Sequence, residues 1–124
     1  MNVRQDGVGN VFIDKVASLG FEDKEPVVLQ AHIDMVPQKK NDVNHNFLTD
    51  SIQAYIDGSV VRAKGTTLGA DNGIGVSMIL AILDSNEIKH GPISAIFTID
   101  EETGMTGAFA LKESDITAKY LINL

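Results

Sequence analysis

Acidic residues and one histidine stand at three places in the sequence where they could act together on a cation or a substrate. Three consecutive acids at 100–102 follow the apolar run 96–99, which is typical of a buried strand. A solvated surface loop is the commoner explanation for a single acidic triplet. Two further acid-bearing segments, at 32–34 and 70–72, favour a shared cation site, because carboxylates at the edge of a core need a counter-charge.

His32 and Asp34 are two residues apart at the end of an apolar run. In an extended chain their side chains point to the same side, so imidazole and carboxylate enter one space. Both could bind a metal, or Asp34 could orient His32 by accepting its second ring N–H. A strand-end histidine that is merely bonded to a neighbouring acid is the simpler alternative.

Asp71 lies in a glycine-rich stretch, between Gly69 and Gly73. Glycines let the backbone approach a ligand closely and adopt positive φ. Asp71 or Asn72 could instead simply cap the helix that follows. Nucleotide binding is disfavoured, because the stretch has no Gly-Lys-Ser/Thr and fits neither nucleotide fingerprint.

Glu101 and Glu102 are adjacent, which favours different roles over duplicate ligation. One carboxylate can bind a metal while the other acts as general base on a metal-bound water. Asp100 has no role that follows from the sequence. His45, in a polar loop, and His90, in a His-Gly-Pro turn, are expected to be structural or exposed.

The elements that position these residues alternate between strands and helices. Strands are predicted at 10–16, 27–31, 93–99 and 119–124, a hairpin at 52–56 and 59–63 around Asp57-Gly58, and helices at 76–84 and 108–113. This alternation predicts a three-layer α/β/α sandwich with a mixed, mostly parallel sheet, to which the hairpin adds the antiparallel element. Ligands gather at the carboxyl ends of strands in such sheets, where four of the five candidate residues fall. The apolar stripe Ile74, Met78 and Ile82 is predicted to belong to the core.

Composition limits the domain organisation and the partners. The 124 residues, 44% of them hydrophobic, suffice for one globular domain. A net charge of −7 argues against nucleic acid and anionic membranes, which select basic surfaces. Cysteine is absent, so a metal would be held by histidine and carboxylate. With no leader and no apolar run of about 20 residues, a cytoplasmic protein is expected.

Three motifs together resemble the co-catalytic zinc metallopeptidases, and within them the aminoacyl-histidine (Xaa-His, carnosine-type) dipeptidases. The motifs are Ala-His-Ile-Asp-Met-Val at 31–36, Gly-Thr-Thr-Leu-Gly-Ala-Asp-Asn-Gly-Ile-Gly at 65–75 and Phe-Thr-Ile-Asp-Glu-Glu-Thr-Gly at 97–104. The resemblance implies that His32 and Glu102 each ligate one metal and that Asp71 bridges both. It also implies that Asp34 orients the histidine and that Glu101 is the general base.

The implied fold is of the zinc-exopeptidase type, and the implied reaction is hydrolysis of a short peptide substrate such as an Xaa-His dipeptide. By this resemblance, two zinc ions would polarise the scissile carbonyl and lower the pKa of a water shared between them, with manganese or cobalt as alternative metals. The resemblance implies that Glu101 takes the proton of that water and delivers it to the leaving amine.

The resemblance further implies that residues 1–124 are a truncated, partial catalytic domain. A ligand aspartate is expected directly after a strand like 121–124, and a ligand histidine near the far C-terminus of such proteins. A lid domain that mediates homodimer formation is expected outside these residues. We therefore expect this chain alone to bind zinc weakly and to have little or no peptidase activity.

Two alternative functions stay open. A related dizinc tripeptidase, aminoacylase or deacylase would have a similar metal centre and different substrate contacts. A non-catalytic metal-binding or interaction module would reuse the fold without chemistry. Glu101 argues against such a module, since a purely structural site needs no base beside its ligands.

Overall fold

The computed structural model describes residues 1–124. The strands are β1 (Asn2–Gln5), β2 (Val11–Lys15), β3 (Val27–His32), β4 (Ala54–Asp57), β5 (Val60–Ala63), β6 (Ile93–Thr98) and β7 (Tyr120–Asn123). The helices are α1 (Ala70–Asp84) and α2 (Thr106–Phe109), and Glu113–Asp115 form a 3-10 turn. None of the helices is long and apolar enough to cross a membrane.

A five-stranded sheet with the order β1-β2-β6-β3-β7 forms the centre of the structure. β3 runs parallel to β6 and β7, whereas β2 is antiparallel to both β1 and β6. Only β2 therefore opposes the other strands, and the prediction of a mixed, mostly parallel sheet is confirmed. Nothing in the sequence predicts β1, because its residues are all exposed and mostly polar.

The hairpin of β4 and β5 forms a separate two-stranded sheet. The prediction that it adds the antiparallel element to the main sheet is therefore wrong, since β2 supplies that element. Its loop is Gly58 and Ser59, one residue later than predicted, because Asp57 still pairs with Val60. Gly58 has φ of 61°, which the first position of a tight two-residue loop demands.

α1 covers one face of the main sheet and begins earlier than predicted, at Ala70. Ile79 and Leu83 of this helix are buried against strand residues such as Ala31 and Phe97. The predicted core stripe is wrong for Ile74 and Met78, which are 61% and 51% exposed. The buried face of the helix contains Gly75, Ile79 and Leu83. A helix turns about 100° per residue, so Ile74 and Met78, one position earlier, point away from the sheet.

The opposite face of the sheet buries Phe12, Val28 and Ile96, against which Leu111 and Ala118 pack. The predicted helix at 108–113 is wrong, because this segment contains the end of the single-turn α2 and the start of a 3-10 turn. The α/β class is confirmed. The third layer of the predicted sandwich is not confirmed, since one short helical turn and irregular chain cover this face.

Candidate metal centre

The carboxyl ends of β3 and β6 lie side by side, because their parallel register pairs His32 with Thr98. The segment 33–34 continues from β3, and the acidic triplet 100–102 continues from β6 two residues beyond its end. Ile33 donates its backbone N–H to the carbonyl oxygen of Thr98 at 2.9 Å, which keeps the two segments together past the strands. Two of the three acid-bearing segments therefore meet at one edge of the sheet.

His32 is buried, with 7% of its surface exposed. Its Nδ1 lies 3.0 Å from the backbone carbonyl oxygen of Asp34, and its Nε2 lies 3.0 Å from Oδ1 of Asp71. Because a carbonyl oxygen can only accept, Nδ1 carries a hydrogen. Nε2 is therefore the ring nitrogen that can bind a cation when the imidazole is neutral.

Opposing influences act on the pKa of His32. Burial acts to lower it, but the hydrogen bond to Asp71, the carbonyl of Asp34 and the nearby carboxylates raise the pKa above its ordinary value. A proton and a metal ion compete for the same nitrogen, so acid weakens any metal binding at this position.

Asp34 connects the histidine to the acidic triplet. Its Oδ1 and Oδ2 accept the backbone N–H groups of Glu101 at 3.0 Å and Glu102 at 3.1 Å, and Oδ1 lies 3.4 Å from Nδ1 of His32. Partial burial acts to raise the pKa of Asp34, but these donors lower it below its ordinary value. Asp34 is therefore an ionised link between the ends of β3 and β6.

Asp71 and Asn72 have different roles at the start of α1. Oδ1 of Asn72 accepts the backbone N–H of Gly75 at 3.1 Å, and its Nδ2 donates to the carbonyl oxygen of Leu124 at 2.6 Å. Asp71 and Asn72 have non-helical backbone angles, so the regular part of α1 begins after them and Asn72 caps it. The carboxylate of Asp71 is 82% exposed and faces His32, which leaves it available to a ligand.

His32, Asp71 and Glu102 each offer one ligand atom, and these atoms all lie within 4.8 Å of one another. Ligand atoms bound to one zinc ion at about 2.0–2.2 Å are no more than about 4.4 Å apart. The carboxylates of Asp71 and Glu102 belong to exposed residues, so small side-chain rotations bring the three atoms into that range. One imidazole nitrogen and two carboxylate oxygens fit zinc, manganese or cobalt.

A cavity of about 480 Å³ opens beside two of these residues, His32 and Asp71. Glu101 lines it together with His32 and Asp71. Glu101 lines this cavity without being one of the three clustered donors, whereas Glu102 is one of them and does not line it. The two adjacent glutamates thus have different surroundings.

Two buried polar contacts hold residues 99–107, which we call the acidic loop. Asn10, with no exposed surface, donates from Nδ2 to the carbonyl oxygen of Gly107 at 2.9 Å and accepts the N–H of Ile99 through Oδ1 at 3.2 Å. Within the loop, Asp100 adopts φ of 55°, and its carbonyl oxygen accepts the N–H of Met105 at 2.6 Å. Asp100 thus contributes a backbone turn.

A chain of polar side chains crosses the floor of the cavity. Nε2 of Gln30 donates to Oγ1 of Thr98 at 3.0 Å, and Nδ2 of Asn123 donates to Oε1 of Gln30. Sequence reasoning missed all three residues. The available signal is that each one is a polar residue in a mostly apolar strand, since Gln30 lies within β3 and Thr98 and Asn123 are the last residues of β6 and β7.

The remaining histidines lie away from the cluster. Nδ1 of His90 is 2.7 Å from the carbonyl oxygen of Gly91, and His45 packs edge-on against Phe47 with ring centres 4.6 Å apart. Neither residue lines the cavity at the metal centre. The prediction that both are structural or exposed is consistent with these contacts.

Residues 28–123 match the family described as Peptidase family M20/M25/M40. The chain belongs to this family. It is 54% identical over 122 residues to the cytosol non-specific dipeptidase of Escherichia coli, a match that covers 98% of this chain and 25% of the relative. The resemblance to metallopeptidases that the three motifs predict is confirmed.

Solved structures of M20-family members agree with the fold. The aminoacylhistidine dipeptidase of Vibrio alginolyticus superposes with a TM-score of 0.95 and 61% identity, over 98% of this chain and 25% of that protein. The aminopeptidase PepT of Bacillus cereus superposes with a TM-score of 0.78 and 27% identity, over 99% of this chain and 33% of that protein. The chain therefore spans a quarter to a third of the length of these M20-family relatives.

Proposed function

We propose that this chain is part of the catalytic domain of a metal-dependent dipeptidase that hydrolyses Xaa-His and other short peptides in the cytoplasm. The observation that carries the proposal is the convergence of His32, Asp71 and Glu102 beside a cavity that Glu101 lines. Membership in a metallopeptidase family supports it, as do the names of the dipeptidases from E. coli and V. alginolyticus.

His32, Asp71 and Glu102 would hold two zinc ions, with Asp71 shared between them. When bound, the metal supplies Lewis-acid polarisation of the scissile carbonyl and makes a water more acidic. Manganese or cobalt would suit the same donors.

The side chains around the donors perform the remaining steps. The Asp34 carbonyl oxygen accepts from Nδ1 of His32, which aims Nε2 at the point where the donors converge. The Asp34 carboxylate fixes the backbone of both glutamates, so their side chains leave a rigid loop end. Glu101 accepts a proton from the attacking water and returns it to the departing amine.

We place the remaining metal ligands, the lid domain and the homodimer contacts in a longer protein that contains this chain. This chain covers only a quarter to a third of the length of its relatives, which supports placing these parts outside it. By itself, the chain is expected to bind zinc weakly and to hydrolyse little or no peptide.

Calorimetric titration with zinc tests the ligand assignment on this chain directly. Asp71→Asn removes the shared carboxylate and is expected to weaken zinc binding about tenfold or more, since ligand losses are severe in an incomplete site. Asp84→Asn, at the other end of α1, is the control and should leave zinc affinity unchanged. Equal affinities in the two variants, or robust zinc-dependent cleavage of β-alanyl-histidine by this chain, contradict the proposal.

Glu101→Gln in the longer protein tests the general base. Zinc content should stay the same, while turnover of β-alanyl-histidine should fall by roughly 10²–10⁴-fold. Full turnover in this variant excludes Glu101 as the base. Metal binding without turnover in the unmodified longer protein would instead identify a non-catalytic module.

A tripeptidase or aminopeptidase is the second candidate, because the PepT structure shares the fold at 27% identity. Assays of the longer protein with matched dipeptides and tripeptides separate the two functions. N-acyl amino acids in the same assay test the aminoacylase and deacylase alternatives.

A further inference from the structure

A second concave surface lies beside the β4–β5 hairpin, and none of the three clustered donors lines it. It is an open groove of about 750 Å³, larger than the cavity at the metal centre, and segments 38–40, 61–63 and 64–68 line it. Four cationic residues stand on its walls: Lys39, Lys40, Arg62 and Lys64. We call this surface the basic groove.

The basic groove concentrates positive charge in a chain with a net charge of −7. It holds four of the ten lysines and arginines, and no aspartate or glutamate lines it. Arg62 is paired with Asp57, with Nε and Oδ2 2.7 Å apart, but Lys40 and Lys64 form no ion pair. Clustered like charge of this kind attracts an anionic partner.

The groove also follows an unpaired strand edge. Val61, Arg62 and Ala63 of β5 line it together with Tyr55 of β4. Lys64 continues the pairing with β4 by donating its N–H to Gln53, so Val61 and Ala63 direct their backbone N–H and C=O groups to the opposite edge of β5.

β5 pairs with β4 alone. On its other edge, the carbonyl oxygen of Ala63 accepts the N–H of Gly65 at 3.1 Å, and segment 38–40 pairs with the chain only beyond β5, at 65–67, so the backbone groups of Val61 and the N–H of Ala63 are the ones left unpaired. Apolar surface accompanies this edge, since Val61 is 56% and Tyr55 47% exposed.

We propose that the basic groove binds an extended acidic peptide segment, which adds a third strand to β5 while its carboxylates meet Lys39, Lys40 and Lys64. An unpaired edge supplies main-chain hydrogen bonds to an extended peptide, and flanking side chains select its sequence. A single small anion would use the lysines and leave the strand edge unused. Nucleic acid is disfavoured, because the chain as a whole is acidic.

Fluorescence anisotropy with labelled short peptides tests the proposal on this chain. The probe is a capped peptide of alternating threonine and glutamate, compared with the same peptide carrying glutamine for glutamate. The glutamate peptide should bind more tightly, and its affinity should fall as salt is raised, since exposed charges are screened within about 10 Å at 0.1 M salt. Equal affinity for the two peptides overturns the proposal.

Paired lysine substitutions locate the binding. Lys40→Gln with Lys64→Gln should weaken binding of the glutamate peptide about three- to tenfold, the effect of losing two exposed charge pairs. Lys24→Gln with Lys119→Gln, two exposed lysines that do not line the groove, is the matched control and should change nothing. The same loss in both double variants shows non-specific attraction and overturns the proposal.

A third peptide tests strand addition separately from charge. Replacing two threonines by proline keeps every glutamate but removes two backbone N–H donors. This peptide should bind several-fold more weakly than its parent, and undiminished binding overturns the strand-addition model. Zinc or a chelator should leave all these affinities unchanged, so the outcome is independent of the proposed peptidase function.

Discussion

The acidic loop and the β4–β5 hairpin differ in how they are attached to the rest of the structure. The acidic loop is fixed by Asn10, which has no exposed surface, and by the buried Gly107. Every residue of β4 is exposed, and the ion pair of Arg62 and Asp57 lies in the open, with the two side chains 58% and 56% exposed. The residues proposed to hold a metal and a base are thus anchored to the core, whereas the surface proposed to bind a peptide stands apart from it.

The sharpest test of this difference is Gly107→Ala. A Cβ at this position would lie 2.4 Å from Oδ1 of Asn10 and 2.6 Å from the backbone N and O of Ile99. Because backbone atoms cannot yield without moving the loop, we expect a loss of about 2–3 kcal/mol in the free energy of unfolding. Urea unfolding followed by circular dichroism measures it.

Gly104→Ala is the control within the same loop. A Cβ there would meet nothing within 4 Å, so we expect a change below about 0.5 kcal/mol. Similar losses in the two variants would show that the close packing around Gly107 does not hold the acidic loop in place.

Asn10→Ala removes the side chain that joins both ends of the acidic loop. The N–H of Ile99 and the carbonyl of Gly107 would be left without this partner in a buried place, which costs about 1–3 kcal/mol. Asn86→Ala, on an exposed turn, should cost almost nothing. If the fixed loop matters for the metal centre, calorimetry should also show weaker zinc binding in Asn10→Ala only.

Acid should weaken this support through Asp6. Oδ1 of Asp6 accepts the backbone N–H groups of Val8, Gly9 and Asn10, and Oδ2 accepts Nδ2 of Asn10. Burial acts to raise the pKa of Asp6, but these donors lower it below its ordinary 3.8. A carboxylate with a depressed pKa stabilises the fold above its unfolded pKa, and that stability is lost as pH falls through the lower, folded pKa.

Urea unfolding at a series of pH values below 5 measures this dependence. Asp6→Asn should be less stable than the unmodified chain near neutral pH and should lose less stability as acid is added. Asp23→Asn, in the exposed turn 19–25, should keep the slope of the unmodified chain. An unchanged slope in Asp6→Asn would contradict the prediction.

The smallest effect is expected at the hairpin. Arg62→Gln breaks the ion pair with Asp57, but exposed pairs contribute only about 0–1 kcal/mol, so the melting temperature should barely move. A loss comparable to that of Asn10→Ala would mean that the hairpin is as firmly anchored as the acidic loop, and the contrast between them would fail.

The fold was predictable where patterns are local. β3, β6 and β7 follow from apolar runs, and the hairpin follows from its Asp-Gly signal, each within one or two residues. The side of α1 that faces away from the sheet was not predictable. This helix is apolar on all sides, so its sequence does not show which side packs against the sheet. β1 was missed for the opposite reason, since a polar edge strand resembles a loop.

The site was predictable in its donors and not in its supports. His32, Asp71 and Glu102 stand next to strand or helix ends, where topology brings them together. Asn10 and Gly107 are 97 residues apart, and no local pattern marks their hydrogen bond. The roles proposed at the metal centre, namely the ligands, the general base and the residue that orients the histidine, stay predictions until metal binding and turnover are measured.

The order of strands in the main sheet has a consequence for folding kinetics. Val27 pairs with Ile93, and Val11 pairs with Phe97, so the central strand β6 must find two partners far back along the chain. Such non-local pairing slows folding to about milliseconds to seconds. Asp34 can reach the glutamates only after β6 has paired with β3. Zinc affinity should therefore develop at the rate of this slow strand pairing. Stopped-flow refolding with a zinc-sensitive dye would measure that rate.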